Sequence, residues 1–149
     1  MALAWDGGIP AAAALDRLLA GGADVALALP EEDGPVPRFL LEEQAAALRL
    51  PLAEGPATAR PGPASGLGGL RAFVCACRPP LSAEWLGRFV DEPLLADARA
   101  MGVDLLAPGA AAATLVVEGP RFSRRVEAMA GDVAPHAGGW RLDLGLRGC

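Results

Sequence analysis

The chemistry open to this chain is narrow. It contains one histidine, His136, three cysteines, Cys75, Cys77 and Cys149, and thirteen basic residues that are all arginine, with no lysine and no tyrosine. Schiff-base catalysis, a lysine-dependent phosphate loop and a Tyr-Lys reductase pair are therefore excluded, as are multi-histidine metal sites. Cys75 and Cys77 share one face of an expected strand, too few for zinc and poorly spaced for a disulfide, and read as buried thiols. His136 sits between Pro135 and Ala137 in an expected turn and reads as a surface histidine. Glu31-Glu32-Asp33 either binds a cation or opens a solvated loop. Arg38 and Arg88 are the side chains best suited to meet an anion, because guanidinium binds in a bidentate way. The Asp6-Gly7-Gly8 sequence is either a tight turn requiring small residues or an anion-binding nest.

The elements that would position these residues follow from apolar spacing. Ala2 to Trp5 reads as a strand, Asp6-Gly7-Gly8 as a turn, and Ala11, Leu15, Leu18 and Leu19 as one face of a helix closed by Gly21-Gly22. Ala23 to Leu29 reads as a buried second strand. Pro37 to Leu48 reads as a helix whose inner face includes Leu40, Leu41, Gln44, Ala45, Ala47 and Leu48. Leu50 to Leu52 could begin a third strand, and residues 54–69 lack periodicity and read as a linker or mobile loop. Leu70 to Cys77 is strand-like, followed by a helix from Ser82 through Phe89, a second helix capped by Asp91 and stopped by Gly102, and a short strand from Val103 to Leu106. Beyond Pro108, strands are expected at Thr114 to Glu118, Arg124 to Met129 and Trp140 to Leu146.

A chain of 149 residues that is 52% hydrophobic and 21% charged predicts one compact fold. Its net charge of −5, without a basic cluster, argues against nucleic acid or anionic lipid as partners and favours small molecules or proteins. The longest uncharged run, Leu105 to Val117, is broken by Pro108 and Gly109, and MALAWDGG has no basic n-region. A soluble, cytoplasmic protein without membrane association is expected. Strand and helix alternation predicts an α/β body over residues 1–107, with a truncated Rossmann-like parallel sheet covered by helices on both faces. A small antiparallel β element over residues 108–149 completes it. In such a body, ligands bind beyond the carboxyl ends of the strands, where Asp6-Gly7-Gly8 falls.

Three segments, taken in order, resemble the diphthine–ammonia ligase family, ATP pyrophosphatases of the PP-loop (adenine nucleotide alpha-hydrolase-like) superfamily. Ala2 to Gly8 followed by Ala11 to Leu15 looks like the family's strand, SGGKDS loop and helix. Val36-Pro37-Arg38 through Leu50-Pro51-Leu52 resembles the next helix and strand. Glu84-Trp85-Leu86-Gly87-Arg88 is similar to the family's W-L-G-R block. Thr114 to Phe122 resembles the tail after its GE-x-GE-x-x-T motif. The resemblance implies ATP activation of a carboxylate, with release of pyrophosphate and attack by ammonia.

This chain departs from the family at the reacting positions. In the SGGKDS frame, Asp6, Ile9, Pro10 and Ala11 stand where Ser, Lys, Asp and Ser are expected, and only Gly7 and Gly8 remain. The two signature glutamates fall on Pro108 and Ala111. The expectation is a degenerate, catalytically inactive homologue acting as a binding or regulatory protein, with a protein partner or as a homo-oligomer. Two alternatives stay open: a family-type amide ligase, and a module that binds AMP or ATP without turnover, with magnesium required only for ATP. The resemblance places the base against backbone at Ala4-Trp5 and Leu29-Pro30, and the remaining nucleotide contacts at Asp6, Gly7, Gly8, Arg88 and Thr114. A bulky residue at Gly7 or Gly8 is expected to abolish binding while sparing the fold.

Overall fold

The first strand, β1 (Ala2–Ala4), leads through a tight loop into helix α1 (Ile9–Ala20) and back to β2 (Ala26–Ala28). The two strands pair in parallel, with Leu3 opposite Leu27. In this computed structural model residues 1–32 and 34–146 are described; Asp33 and Cys149 lie outside the described residues. Proline is tolerated in the first turn of α1 because its missing N–H would have no partner inside the helix. Ile9, Ala11 and Leu15 form its buried face. Helix α2 (Arg38–Leu48) buries Leu40, Leu41, Gln44, Ala45, Ala47 and Leu48, the face its spacing predicts, and ends where Arg49 turns left-handed at φ 57°.

Single parallel bridges flank the β1–β2 pair. Leu52 bridges to Leu27, and Ala59 bridges to Leu3. Residues 54–69 hold no helix or extended strand, yet they are tied down. The Ala4 N–H donates to the Ala59 carbonyl at 2.9 Å, Thr58 accepts from the Ala2 N–H, and Ala64 is buried.

The second sheet is antiparallel throughout. It contains β3 (Arg71–Cys77), β4 (Ala112–Glu118), β5 (Ala128–His136) and β6 (Gly139–Leu146), in the order β4-β3-β6-β5. Helix α3 (Glu92–Ala100) lies between β3 and β4 and is capped by Asp91, whose carboxylate accepts from the Leu94 N–H at 2.9 Å. Both sheets bury side chains in a common core that includes Leu3, Leu27, Val74 and Leu115.

This architecture overturns the expected Rossmann-like parallel sheet. Among the described residues, β1 and β2 form the one parallel sheet, and β3 runs antiparallel to β4, with Phe73 opposite Leu115. Alternation of strand and helix in a sequence establishes the layers but not the strand direction. A fully buried strand such as β3 has the same apolar run in either sheet type. Residues 78–111 cross over with one three-residue 3-10 turn and α3, and return the chain beside β3 in the opposite sense.

Three local expectations also change. The helix expected from Ser82 to Phe89 is reduced to the 3-10 turn Ala83–Trp85, because Gly87 takes φ 82° and the Val74 backbone bonds to Gly87 and Arg88. Val103 to Leu106 is a turn held by the Asp104 carboxylate, which accepts from the Leu106 N–H. The strand expected at Arg124 to Met129 begins at Ala128 and extends to His136, which ends β5 before the turn at Ala137-Gly138.

Candidate functional site

The loop from Trp5 to Gly8 delivers the chain to the N-terminus of α1, where unpaired backbone N–H groups make a natural anion site. Here two of those groups are already engaged. The Gly8 N–H donates to the Asp6 carboxylate at 2.9 Å, and the Ile9 N–H donates to the Thr114 hydroxyl at 3.0 Å. Pro10 contributes no N–H. Thr114 reaches this position because β4 runs alongside the loop, with the Val116 N–H donating to the Gly7 carbonyl at 2.8 Å.

Gln44 holds the loop from the other side. Its side chain is fully buried; Oε1 accepts from the Trp5 indole at 3.0 Å, and Nε2 donates to the carbonyls of Gly7 and Val116. Gly7 is required on two counts. It adopts φ 83°, and a Cβ there would lie 2.7 Å from the Gln44 amide oxygen. A bulky residue at Gly7 therefore strains the fold itself, contrary to the expectation that only binding would suffer. At Gly8 a Cβ would approach Thr114 to 3.2 Å.

Above this helix end lies a cavity of about 220 Å³ lined by Asp6, Gly8, Thr114, Pro108, Ala112 and Ala113, among others. Pro108, one of the two positions where the resemblance places a glutamate, contributes an apolar wall. Among the described residues, none that lines this cavity is basic.

A larger cleft, about 720 Å³, opens at the carboxyl ends of β1 and β2 and is lined by Ala4, Trp5, Leu29 and Pro30 together with residues 53–57 and Arg60-Pro61. Its size is in the range of small-molecule sites. Trp5 as a whole is 1% exposed and its indole is tied to Gln44, so it offers the cleft no stacking surface. Two prolines interrupt the parallel ladders here. The Trp5 N–H bonds to Ala28 and the Ala4 N–H to Ala59, so the next donors in register are residues 30 and 61. Both are proline, which leaves the carbonyls of Trp5 and Ala4 without ladder partners. On the far edge of β2, the Leu27 N–H bonds to Pro51 and the Ala53 N–H bonds to Leu27, but the Leu29 N–H has no backbone acceptor among the described residues.

The charges around this cleft are predominantly acidic: Asp6, Glu31 and Glu54 line it, against Arg60. Arg38 lies across Pro30, in a pocket of about 60 Å³ shared with Asp6, Glu31 and Glu32. Arg88 is elsewhere; its guanidinium stacks 5.2 Å from the Trp85 ring centroid, and its carbonyl accepts from the Val74 N–H. Cys75 is fully buried in β3, where burial and then the negative charge of Asp6 push its thiol up to about 12. Burial also raises the Cys77 thiol. Among the described residues there is no cluster of metal-ligating side chains, and no helix is long and apolar enough to cross a membrane.

The structure thus gathers Trp5, Asp6, Leu29 and Pro30 at one cleft and Asp6, Gly8 and Thr114 at the adjoining helix end. Glu54, Arg60 and Pro61 were hidden in an aperiodic segment and join the cleft because Ala53 bonds to Leu27 of β2 and Thr58 and Ala59 bond to Ala2 of β1. Gln44 had a visible signal, a polar residue on an otherwise apolar helix face, which a buried hydrogen-bonding role explains. No protein-family profile matches the chain, and no curated protein shows significant similarity to it.

Proposed function

We propose that this chain is a non-catalytic relative of the diphthine–ammonia ligases that acts by binding, holding an adenine-type base in the strand-end cleft and serving as a regulatory or partner-binding module. The observation that carries the non-catalytic reading is the engagement of the α1 N-terminus by Asp6 and Thr114. Activation of a carboxylate by ATP needs donors aimed at the phosphates as charge develops. At this helix end the Gly8 and Ile9 N–H groups face the protein's own oxygens, and prolines and alanines form much of the neighbouring cavity's wall.

The base-binding part of the reading rests on the cleft's open backbone groups. An amino group beside a ring nitrogen presents one donor and one acceptor. The Ala4 carbonyl and the Leu29 N–H lie at this cleft without ladder partners and offer it one main-chain acceptor and one main-chain donor. Main-chain recognition of this kind persists when side chains change.

Two measurements test the proposal. Purified protein incubated with ATP, magnesium and ammonia is expected to release no pyrophosphate above background; release that depends on all three would restore the ligase reading. Calorimetric titration with adenine, AMP and ATP, with and without magnesium, is expected to show binding by at least one adenine compound without a magnesium requirement. Magnesium-dependent ATP binding alone would contradict it.

A further inference from the structure

We infer that the apolar groove beside Arg121, between α1 and the loops 65–70 and 119–122, is a second binding site, one that takes a small apolar monocarboxylate. The ligand is a single ring or a short branched chain ending in a carboxylate.

Three parts of the chain build the groove. Helix α1 supplies Ala12 and Leu15, Leu48 closes the end of α2, Leu67 and Leu70 come from one loop, and Phe122 comes from the other. Both loops are held by their own backbone: the Leu70 N–H donates to the Leu67 carbonyl at 2.9 Å, and the Phe122 N–H to the Gly119 carbonyl at 3.1 Å. The Ser123 N–H ties the second loop to α2 by donating to the Ala47 carbonyl at 2.7 Å. The concavity is therefore preformed, and a ligand entering it does not have to order these loops first. Its volume of about 160 Å³ matches apolar cavities that take up one aromatic ring, which limits the size of the ligand's apolar part.

The charged groups at the mouth determine the ligand's other end. Arg121 donates to Asp16 through Nε alone, at 2.9 Å, and both side chains are about half exposed. Among the described residues, the two terminal nitrogens of Arg121 have no hydrogen-bond partner, and Arg17, which also lines the groove, makes no ion pair. A guanidinium carries five donors in one plane, and its terminal nitrogens match the two oxygens of a carboxylate. Those donors are open to a ligand while Asp16 keeps Nε, so binding displaces no contact already made. Arg17 and Arg121 against Asp16 leave this mouth positive in a chain of net charge −5. A neutral ring would gain the same apolar contacts without the charge-assisted pair.

The experiment is titration of the isotope-labelled full chain at neutral pH with benzoate, 3-methylbutanoate and benzyl alcohol, followed through backbone amide shifts. Benzoate is expected to move the amides of Gly66, Gly68 and Leu70 saturably, and to bind about tenfold more tightly than benzyl alcohol, which has the ring without the charge. Arg121→Met keeps an apolar stem and removes the charge, so that margin should fall to about threefold or less. The variant should keep the wild-type fold, because an exposed ion pair adds little stability. Ala13→Leu, at a partly buried position in the groove wall, should weaken all three ligands severalfold. Failure of both carboxylates to bind would overturn the proposal, as would benzoate shifts confined to amides outside the groove. Equal affinity for benzoate and benzyl alcohol, or an unchanged margin in Arg121→Met, would overturn it too.

Discussion

The α1 N-terminus and the strand-end cleft share Asp6, yet they treat their backbone polar groups in opposite ways. At the helix end, Gly8 and Ile9 donate to Asp6 and Thr114, and the carbonyl of Gly7 accepts from both Gln44 and Val116. At the cleft, prolines at positions 30 and 61 leave carbonyls of β1 and its following residue without ladder donors. A buried backbone group must be paired, so the helix end is folded into the structure. At the cleft Ala4 and Leu29 are only partly buried, so water or a ligand can reach them, whereas Trp5 is 1% exposed. A glycine-rich loop beside a helix is thus no guide to binding until the partners of its N–H groups are known.

The largest effect expected from breaking this contrast is at Gln44. Gln44→Leu keeps the volume but strands the Trp5 indole N–H and removes a donor from the Gly7 and Val116 carbonyls. The expected loss is about 4 kcal/mol in urea unfolding. A loss below about 1 kcal/mol would mean that the loop does not depend on this side chain. Gly7→Ala follows, at about 2–3 kcal/mol, since it combines φ 83° with a clash against Gln44. Gly22→Ala is the control. It has φ 84° and nothing within 4 Å, so its cost should be about 1 kcal/mol, and equal costs at both sites would refute the close approach.

Cys75 reports on the same region through pH. Its thiol titrates at about 12 in the fold against 9.0 ordinarily, because it is buried and near Asp6. The unfolded chain therefore releases that proton first. The stability contributed by the neutral thiol is complete below about pH 9 and falls as pH rises toward 12, with a slope of up to about 1.4 kcal/mol per pH unit. Unfolding measured from pH 8 to 11 should show this decline, and Cys75→Ala should flatten it. An unchanged slope in the variant would assign the decline to other groups. Thr114→Val then tests the cap alone, with an expected cost of about 1 kcal/mol from the orphaned Ile9 N–H.

These residues also show which parts of the fold could be read from sequence. Elements defined by local signals were legible: α1 between Pro10 and Gly21, α2 by its apolar face, and α3 by the Asp91 cap. Strand direction was not, because no local feature of Arg71–Cys77 distinguishes a parallel partner from the antiparallel β4. The site divided in the same manner. Trp5, Leu29 and Pro30 could be placed at strand ends from the apolar runs, whereas Glu54, Arg60 and Pro61 depended on two tertiary events, the docking of Leu52 beside Leu27 and of Ala59 beside Leu3. Thr114 was identified through a motif frame, but its role as a cap on α1 required knowing that β4 runs beside the loop.

The smallest expected change in stability makes the cleft resemble the helix end. Pro61→Ala restores an N–H at the position that follows the Ala4 to Ala59 bond in the parallel ladder. The new donor can satisfy the Ala4 carbonyl from within, as Thr114 and Asp6 satisfy the helix N–H groups. A hydrogen bond of about 1 kcal/mol is opposed by the greater freedom of the unfolded chain once proline is removed, so stability should stay within about 0.5 kcal/mol. Affinity for the adenine compound that binds should fall severalfold, because an acceptor at the cleft has been taken by the chain. Unchanged affinity would show that the Ala4 carbonyl takes no part in recognition. Stability and binding should therefore separate at Pro61, whereas at Gln44 they should fall together.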